Sequence, residues 1–238
     1  MKAFLRSAFE GAPLSSPWDS QGPIREELFS VERLEGHARS LAVAQIVSPR
    51  TTKGRLLARR LADNRTVLLD AFRYRISHGR TIDPLKSEKY SLDDLKETAV
   101  AQGVELKPGT ILLIRTGWMQ AYLAASDADK AAMAPLEGLK ACGIEDSSAM
   151  VEWFWDNRIA AVGTDCPAVE PWPWDFKNEG ALHYRTLCLL GLPIGEQFNL
   201  EELAADCAAD KRYECMLVSV PMNLEGGIAS PPNAVAIK

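Results

Sequence analysis

The residues of this sequence best suited to chemistry are a histidine and a glutamate, His183 and Glu196, in the stretch ALHYRTLCLLGLPIGEQFNL (residues 181–200). Neutral imidazole and carboxylate both bind divalent metal ions. His183 opens an apolar, helix-like run that a Gly-Leu-Pro break ends, and Glu196 stands where the chain re-emerges. A helix followed by a turn can bring two such side chains onto one ion. The same residues also read as a satisfied, partly buried histidine beside an exposed turn glutamate. Asp165 lies in Gly-Thr-Asp-Cys-Pro at the end of a short apolar run, the kind of strand end on which functional groups sit. The loop EPWPW (residues 170–174) precedes His183; its Trp172 and Trp174 either wall a pocket or plug the core. A nucleophile is a poor reading: Ser40, Ser77 and Ser230 lack a G-x-S-x-G elbow, and Cys166 precedes proline with no histidine nearby in sequence.

The elements that must position these groups alternate. Residues 1–22 carry Gly, Pro and Ser punctuation and read as a mobile arm. Leu28, Val31, Leu34, Leu41 and Ala42 then recur at helical spacing among charged residues, with His37 beside the stripe as a packing residue. A second helix carries Arg50, Lys53, Arg55, Arg59 and Arg60 on a solvated face. TVLLDAF (residues 66–72) reads as a strand or as a continuation of that helix. Ser91 opens a helix running to Gln102-Gly103, and TILLIRT (residues 110–116) reads as a buried strand. Helices are expected around 118–125 and 127–133. Another is expected after Gly143-Ile144-Glu145-Asp146, which reads as its cap. Short strands at 159–162, 214–220 and 234–237 and a helix at 200–209 complete an α/β arrangement.

Composition narrows the function. A net charge of −5 gives no basis for nucleic-acid or acidic-membrane binding. No apolar run approaches the ~20 residues of a membrane helix, and the N-terminus has no continuous apolar core of a secretory signal. The 5 cysteines are odd in number and form no C-x-x-C pair, as expected of reduced thiols. A cytoplasmic protein is the expectation.

Four blocks carry a family resemblance: KPGTILLIRTGW (107–118), AAVGTDCPAVE (160–170), HYRTLCLLGLPIGE (183–196) and PMNLEGGIASPPNAVAI (221–237). From about residue 67 onward the chain resembles the cyclase family of metal-dependent hydrolases, which includes bacterial kynurenine formamidases of tryptophan catabolism. The resemblance implies an α/β fold round a mixed, barrel-like sheet with flanking helices, assembled as a homo-oligomer. It also implies a zinc or manganese ion acting on an amide, ester or lactone carbonyl of a small-molecule substrate. His183 and Glu196 match the family's two late metal ligands, and Asp165 matches an acidic position with a structural or pocket-lining role.

The family's early H-x-G-T-H-x-D cluster has no counterpart. The sequence holds 3 histidines, and neither His37 nor His78 sits in that pattern. Instead GPIREELFSVERLEGHARSLAVAQ and RRLADNRTVLLDA, within residues 22–71, resemble the N-terminal helical segment of cyclic β-glucan synthases. The expectation is a flexible arm (1–22), a helical segment (23–66) and a cyclase-like domain (67–238) joined as a fusion or a mis-assembled frame. Catalysis is then impaired. The alternative is a non-catalytic remnant serving in binding or oligomerisation.

Overall fold

The computed structural model describes residues 65–174, 181–219, 231 and 233–238. The arm and the helices expected before residue 65, His37 and most of the 221–237 block lie outside the described residues.

Two apolar runs set the architecture. RTVLL forms β1 (Arg65–Leu69) and ILLI forms β3 (Ile111–Ile114), parallel and in register, with Val67 opposite Leu112 and Leu69 opposite Ile114. Runs apolar at successive positions belong in parallel sheets covered on both faces. Between them in sequence come α1 (Ala71–Ser77), β2 (Lys89–Tyr90) and α2 (Leu92–Gln102). After β3 follow α3 (Trp118–Ala124), α4 (Asp127–Met133), β4 (Gly143–Ile144), α5 (Ser148–Asp156) and β5 (Ala161–Thr164). A π-helix (Tyr184–Leu190), β6 (Ile194–Gly195), α6 (Glu201–Asp210), β7 (Glu214–Val218) and β8 (Val235–Ile237) complete the described chain.

Among the described residues the main sheet has the order β6-β5-β3-β1-β7-β8, and β2 pairs with β4 separately. β6, β5, β3 and β1 run parallel; β7 and β8 are added antiparallel. The sheet is mixed, curled like part of a barrel, and flanked by helices, as the family resemblance implies.

Strand periodicity sorts the core into two layers. Val67, Leu69, Leu112, Ile114 and Val162 pack with Tyr90, Leu95, Met150 and Phe154 on one face. Leu68, Ile111 and Leu113 pack with Leu200, Ala204, Cys207 and Tyr213 on the other. The second layer holds a tight fit where β5 meets β6. Gly163 and Gly195 face each other in register, and the Phe198 ring lies against both. A Cβ on Gly163 would stand 2.8 Å from Leu113 Cδ2 and 2.8 Å from Phe198 Cε2.

Three expectations change. TVLLDAF is neither all strand nor all helix: β1 ends at Leu69, and Asp70 caps α1 by accepting from Arg73 N at 3.1 Å. Gly143 and Ile144 form a strand instead of a helix cap; Ser147 caps α5, accepting from Met150 N at 3.2 Å. The strand read at 159–162 is placed at 161–164. The Ser91 helix stands as read, with a capping box between Ser91 and Asp94 and a left-handed Gly103 at its end.

The Gly163 contact yields a test. Gly163→Ala is expected to lower the urea unfolding free energy by about 1–3 kcal/mol through overpacking. Adding Phe198→Leu should cost less in that background than in the wild type, because the two positions share one clash.

Candidate functional site

Polar groups collect where the parallel strands end, the usual place for ligands in open α/β sheets. Asp70 follows β1, Arg115 and Thr116 follow β3, Asp165 follows β5, and Glu196 follows β6. Arg115 and Asp70 are both buried, and Arg115 Nη1 donates to Asp70 Oδ1 at 2.8 Å. Its Nε and Nη2 donate to Glu201 at 3.0 and 2.6 Å, which ties the start of α6 to the end of β3.

Asp165 is fully buried. Its Oδ1 accepts from Thr116 N at 2.6 Å and Thr116 Oγ1 at 2.7 Å, and its Oδ2 accepts from Gly117 N at 2.9 Å. Burial pushes its carboxyl up, and the bonds from Thr116 pull against that shift. Of the two roles expected for Asp165, the geometry is that of the structural one: the carboxylate holds the β3 exit loop onto β5. Cys166 is also fully buried, with burial pushing its thiol well up and Sγ donating to Ala168 O at 2.6 Å. A thiol so placed is inert.

The structure brings His183 and Glu196 together: Nε2 and Oε1 are 2.9 Å apart. It adds a third group that the sequence reading passed over. Glu170, 2% exposed, accepts from His183 Nδ1 through Oε2 at 2.8 Å and from His183 N through Oε1 at 3.2 Å. Trp174 stands beside the imidazole with ring centroids 5.0 Å apart, and Trp172 meets Trp174 edge-on at 5.0 Å.

Each partner is fastened locally. Ile144 N donates to Val169 O at 2.9 Å, and Ala141 and Trp172 exchange backbone bonds of 3.1 and 2.9 Å on either side of Glu170. Gly143 has no side chain where the Glu170–Pro171 backbone passes; a Cβ there would strike it. Gln197 N donates to Cys166 O and Phe198 N to Thr164 O, both at 3.0 Å, which fixes the exit of β6 next to Glu196. Thr186 Oγ1 donates to Leu182 O at 2.7 Å, and the left-handed Gly191 closes the π-helix that follows His183.

The electrostatics favour a cation between the two carboxylates. Burial alone would lower the His183 pKa, but Glu170 and then Glu196 outweigh it and raise it from 6.5 to about 9. Glu196 Oε1 is buried and has no hydrogen-bond partner, so its contact with His183 is an ion pair without hydrogen-bond alignment. Two donor atoms 2.9 Å apart can be reached by one divalent ion, whose bonds to nitrogen and oxygen run about 2.0–2.2 Å. The pair therefore fits a metal as two of its ligands. Catalytic zinc usually takes three protein ligands, and no group of 3 or more His, Cys, Asp or Glu stands ready among the described residues. His78 is not a further ligand here: it caps the end of α1, with Nδ1 2.9 Å from Tyr74 O.

Glu170 was legible only as the first letter of an aromatic loop. A carboxylate thirteen residues before a histidine has no spacing signature; the loop had to fold back before the two could meet.

The Cyclase family model matches residues 49–171, more than half of the 238 residues, and the chain belongs to that family. The match begins inside the 22–71 stretch and ends before His183. A crystal structure described as a novel cyclase is 33% identical with a TM-score of 0.61, over 73% of this chain and 53% of that one. An isatin hydrolase bound to the product analogue thioisatinate is 17% identical, with a TM-score of 0.48 over 72% of this chain and 58% of that one. Isatin hydrolase A from Ralstonia solanacearum is 18% identical, with a TM-score of 0.47 over 74% of this chain and 62% of that one. The chain thus spans between 53% and 62% of the length of these solved structures. No curated protein matches it. No helix among the described residues is long and apolar enough to cross a membrane.

The raised His183 pKa gives a pH test on metal-free protein. A group whose folded pKa lies above its unfolded value stabilises fully below pH 6.5 and loses that contribution as pH rises through about 9. The unfolding free energy from urea titrations between pH 6 and 10 is expected to fall by an amount on the order of 1–3 kcal/mol, and the fall should be smaller by that amount in His183→Gln.

Proposed function

We propose that this chain is a metal-dependent hydrolase of an amide, ester or lactone carbonyl, arylformamidase-like, with His183 and Glu196 as two ligands of a zinc or manganese ion. One observation carries the reading: Nε2 of His183 and the buried, unbonded Oε1 of Glu196 lie 2.9 Å apart, while Nδ1 is engaged by Glu170. A divalent ion bound there supplies a polarised carbonyl and a hydroxide at neutral pH.

The chain's own residues do the rest. His183 and Glu196 present a nitrogen and an oxygen lone pair to the same point. Trp172 and Trp174 give that point an apolar wall against which a planar acyl or aryl group can lie and which keeps water from that side. Asp165 acts at one remove, holding the backbone of residues 116–119 at the end of β3. The substrate is a small molecule, the compartment the cytoplasm and the assembly a homo-oligomer.

A second reading has its own observation. The H-x-G-T-H-x-D cluster is absent from the sequence, and of its 3 histidines one, His78, is bonded away at the end of α1. Catalysis by this chain is then impaired, or the chain is a remnant that binds or oligomerises without turning over substrate. A neighbouring copy could supply the absent ligands. The 22–71 likeness to cyclic β-glucan synthases belongs to the same reading, as the trace of a fusion; an H-x-G-T-H-x-D stretch in the intact gene would argue against a natural one.

Assays with N-formylkynurenine and simple aryl esters, in the presence of zinc or manganese, separate these readings. Slow hydrolysis that chelator abolishes and His183→Ala reduces to background is the expected result. Hydrolysis indifferent to both treatments contradicts the metal role; stoichiometric metal without hydrolysis supports the remnant.

A further inference from the structure

We infer that Glu170 is a positioning residue for His183, holding the imidazole ring so that Nε2 faces Glu196 before any ligand arrives. The inference rests on the metal-site reading for its purpose, though its geometry stands independently.

Glu170 grips His183 at two points. Oε2 meets Nδ1 at 2.8 Å and Oε1 meets the backbone nitrogen at 3.2 Å. One contact fixes the residue's backbone and the other fixes its ring, so rotation of the imidazole breaks a bond to a carboxylate that is 2% exposed. Water cannot readily replace that bond, which makes an alternative ring orientation expensive. An ionised carboxylate only accepts. Its aligned bond therefore places the proton on Nδ1 ahead of the unaligned contact between Nε2 and Glu196, and in the neutral ring this leaves the lone pair on Nε2. A ligating histidine needs that tautomer, and carboxylates in this relation to metal-bound histidines raise the ligand's basicity and hold its plane.

The anchor is itself rigid. Backbone bonds from Ile144 to Val169 and between Ala141 and Trp172 bracket Glu170, and Gly143 leaves room for the backbone at Glu170 and Pro171. The carboxylate is thus held from the β4 side, the imidazole from the turn before the π-helix, and Glu196 from β6. Three separate elements converge on one ring. Trp174, 5.0 Å away between centroids, flanks the imidazole and limits its tilt.

The test uses the whole chain and two readouts. Long-range proton–nitrogen NMR of the neutral, metal-free His183 ring is expected to show the Nδ1–H tautomer in the wild type and a shift toward Nε2–H in Glu170→Gln. Competition with a chromogenic chelator should show zinc binding weakened about 10–100-fold by the same substitution. Glu170→Asp keeps the charge but is one methylene too short for the Nδ1 contact. It is expected to give mixed tautomers and intermediate zinc affinity, and it serves if the Gln variant does not fold. Wild-type tautomer and wild-type zinc affinity in either folded variant overturn the inference. If no form binds zinc yet Glu170→Gln still changes the tautomer, the positioning role stands and the metal reading falls.

Discussion

The buried carboxylate of Asp165 is the constraint on which the functional end of the sheet depends. An anion with no exposure is tolerable only when its oxygens are saturated, and here the donors come from the β3 exit, Thr116 and Gly117. That requirement locks the ends of β3 and β5 together. Thr116 is held from its other side as well, because Tyr90 donates its hydroxyl to Thr116 O at 2.7 Å. Gly117 follows with φ 84°, where a side chain would strike the Phe72 ring. The turn has one shape open to it.

From that fixed edge the chain makes two excursions and returns. The first passes through Glu170 and the two tryptophans, and Gly143 and Ile144 hold it against β4. The second runs from His183 through the π-helix to β6, whose glycine opposite Gly163 lets Phe198 close over the strand pair. Glu196 stands on the residue after β6. His183, Glu196 and Glu170 are thus brought together by backbone packing, and the charges can remain close because the imidazole, raised to about 9, carries a proton between the two carboxylates. A metal ion would replace one cation with another at Nε2.

Much of the fold was legible because its signals are local. ILLI announces a strand buried on both faces, and Ser91 with Asp94 announces a helix start; neither needs a distant partner. The 2-residue strands β2, β4 and β6 were not legible, since two residues carry no periodicity and exist only by pairing. For that reason Gly143 and Ile144 read as a cap. In the site, His183 and Glu196 stood out by residue type and by resemblance, whereas Glu170 depends on a loop returning against β4. Asp165 was seen as a strand-end acid, but its saturation by residues 116 and 117 is a long-range contact that spacing does not encode.

A divalent ion bound between His183 and Glu196 is tested most directly by anomalous scattering at the zinc edge, from crystals of the full chain grown with zinc. A peak is expected within bonding distance of His183 Nε2 and a Glu196 oxygen, with Nδ1 still on Glu170. A peak elsewhere, or none there with the metal in excess, would contradict it.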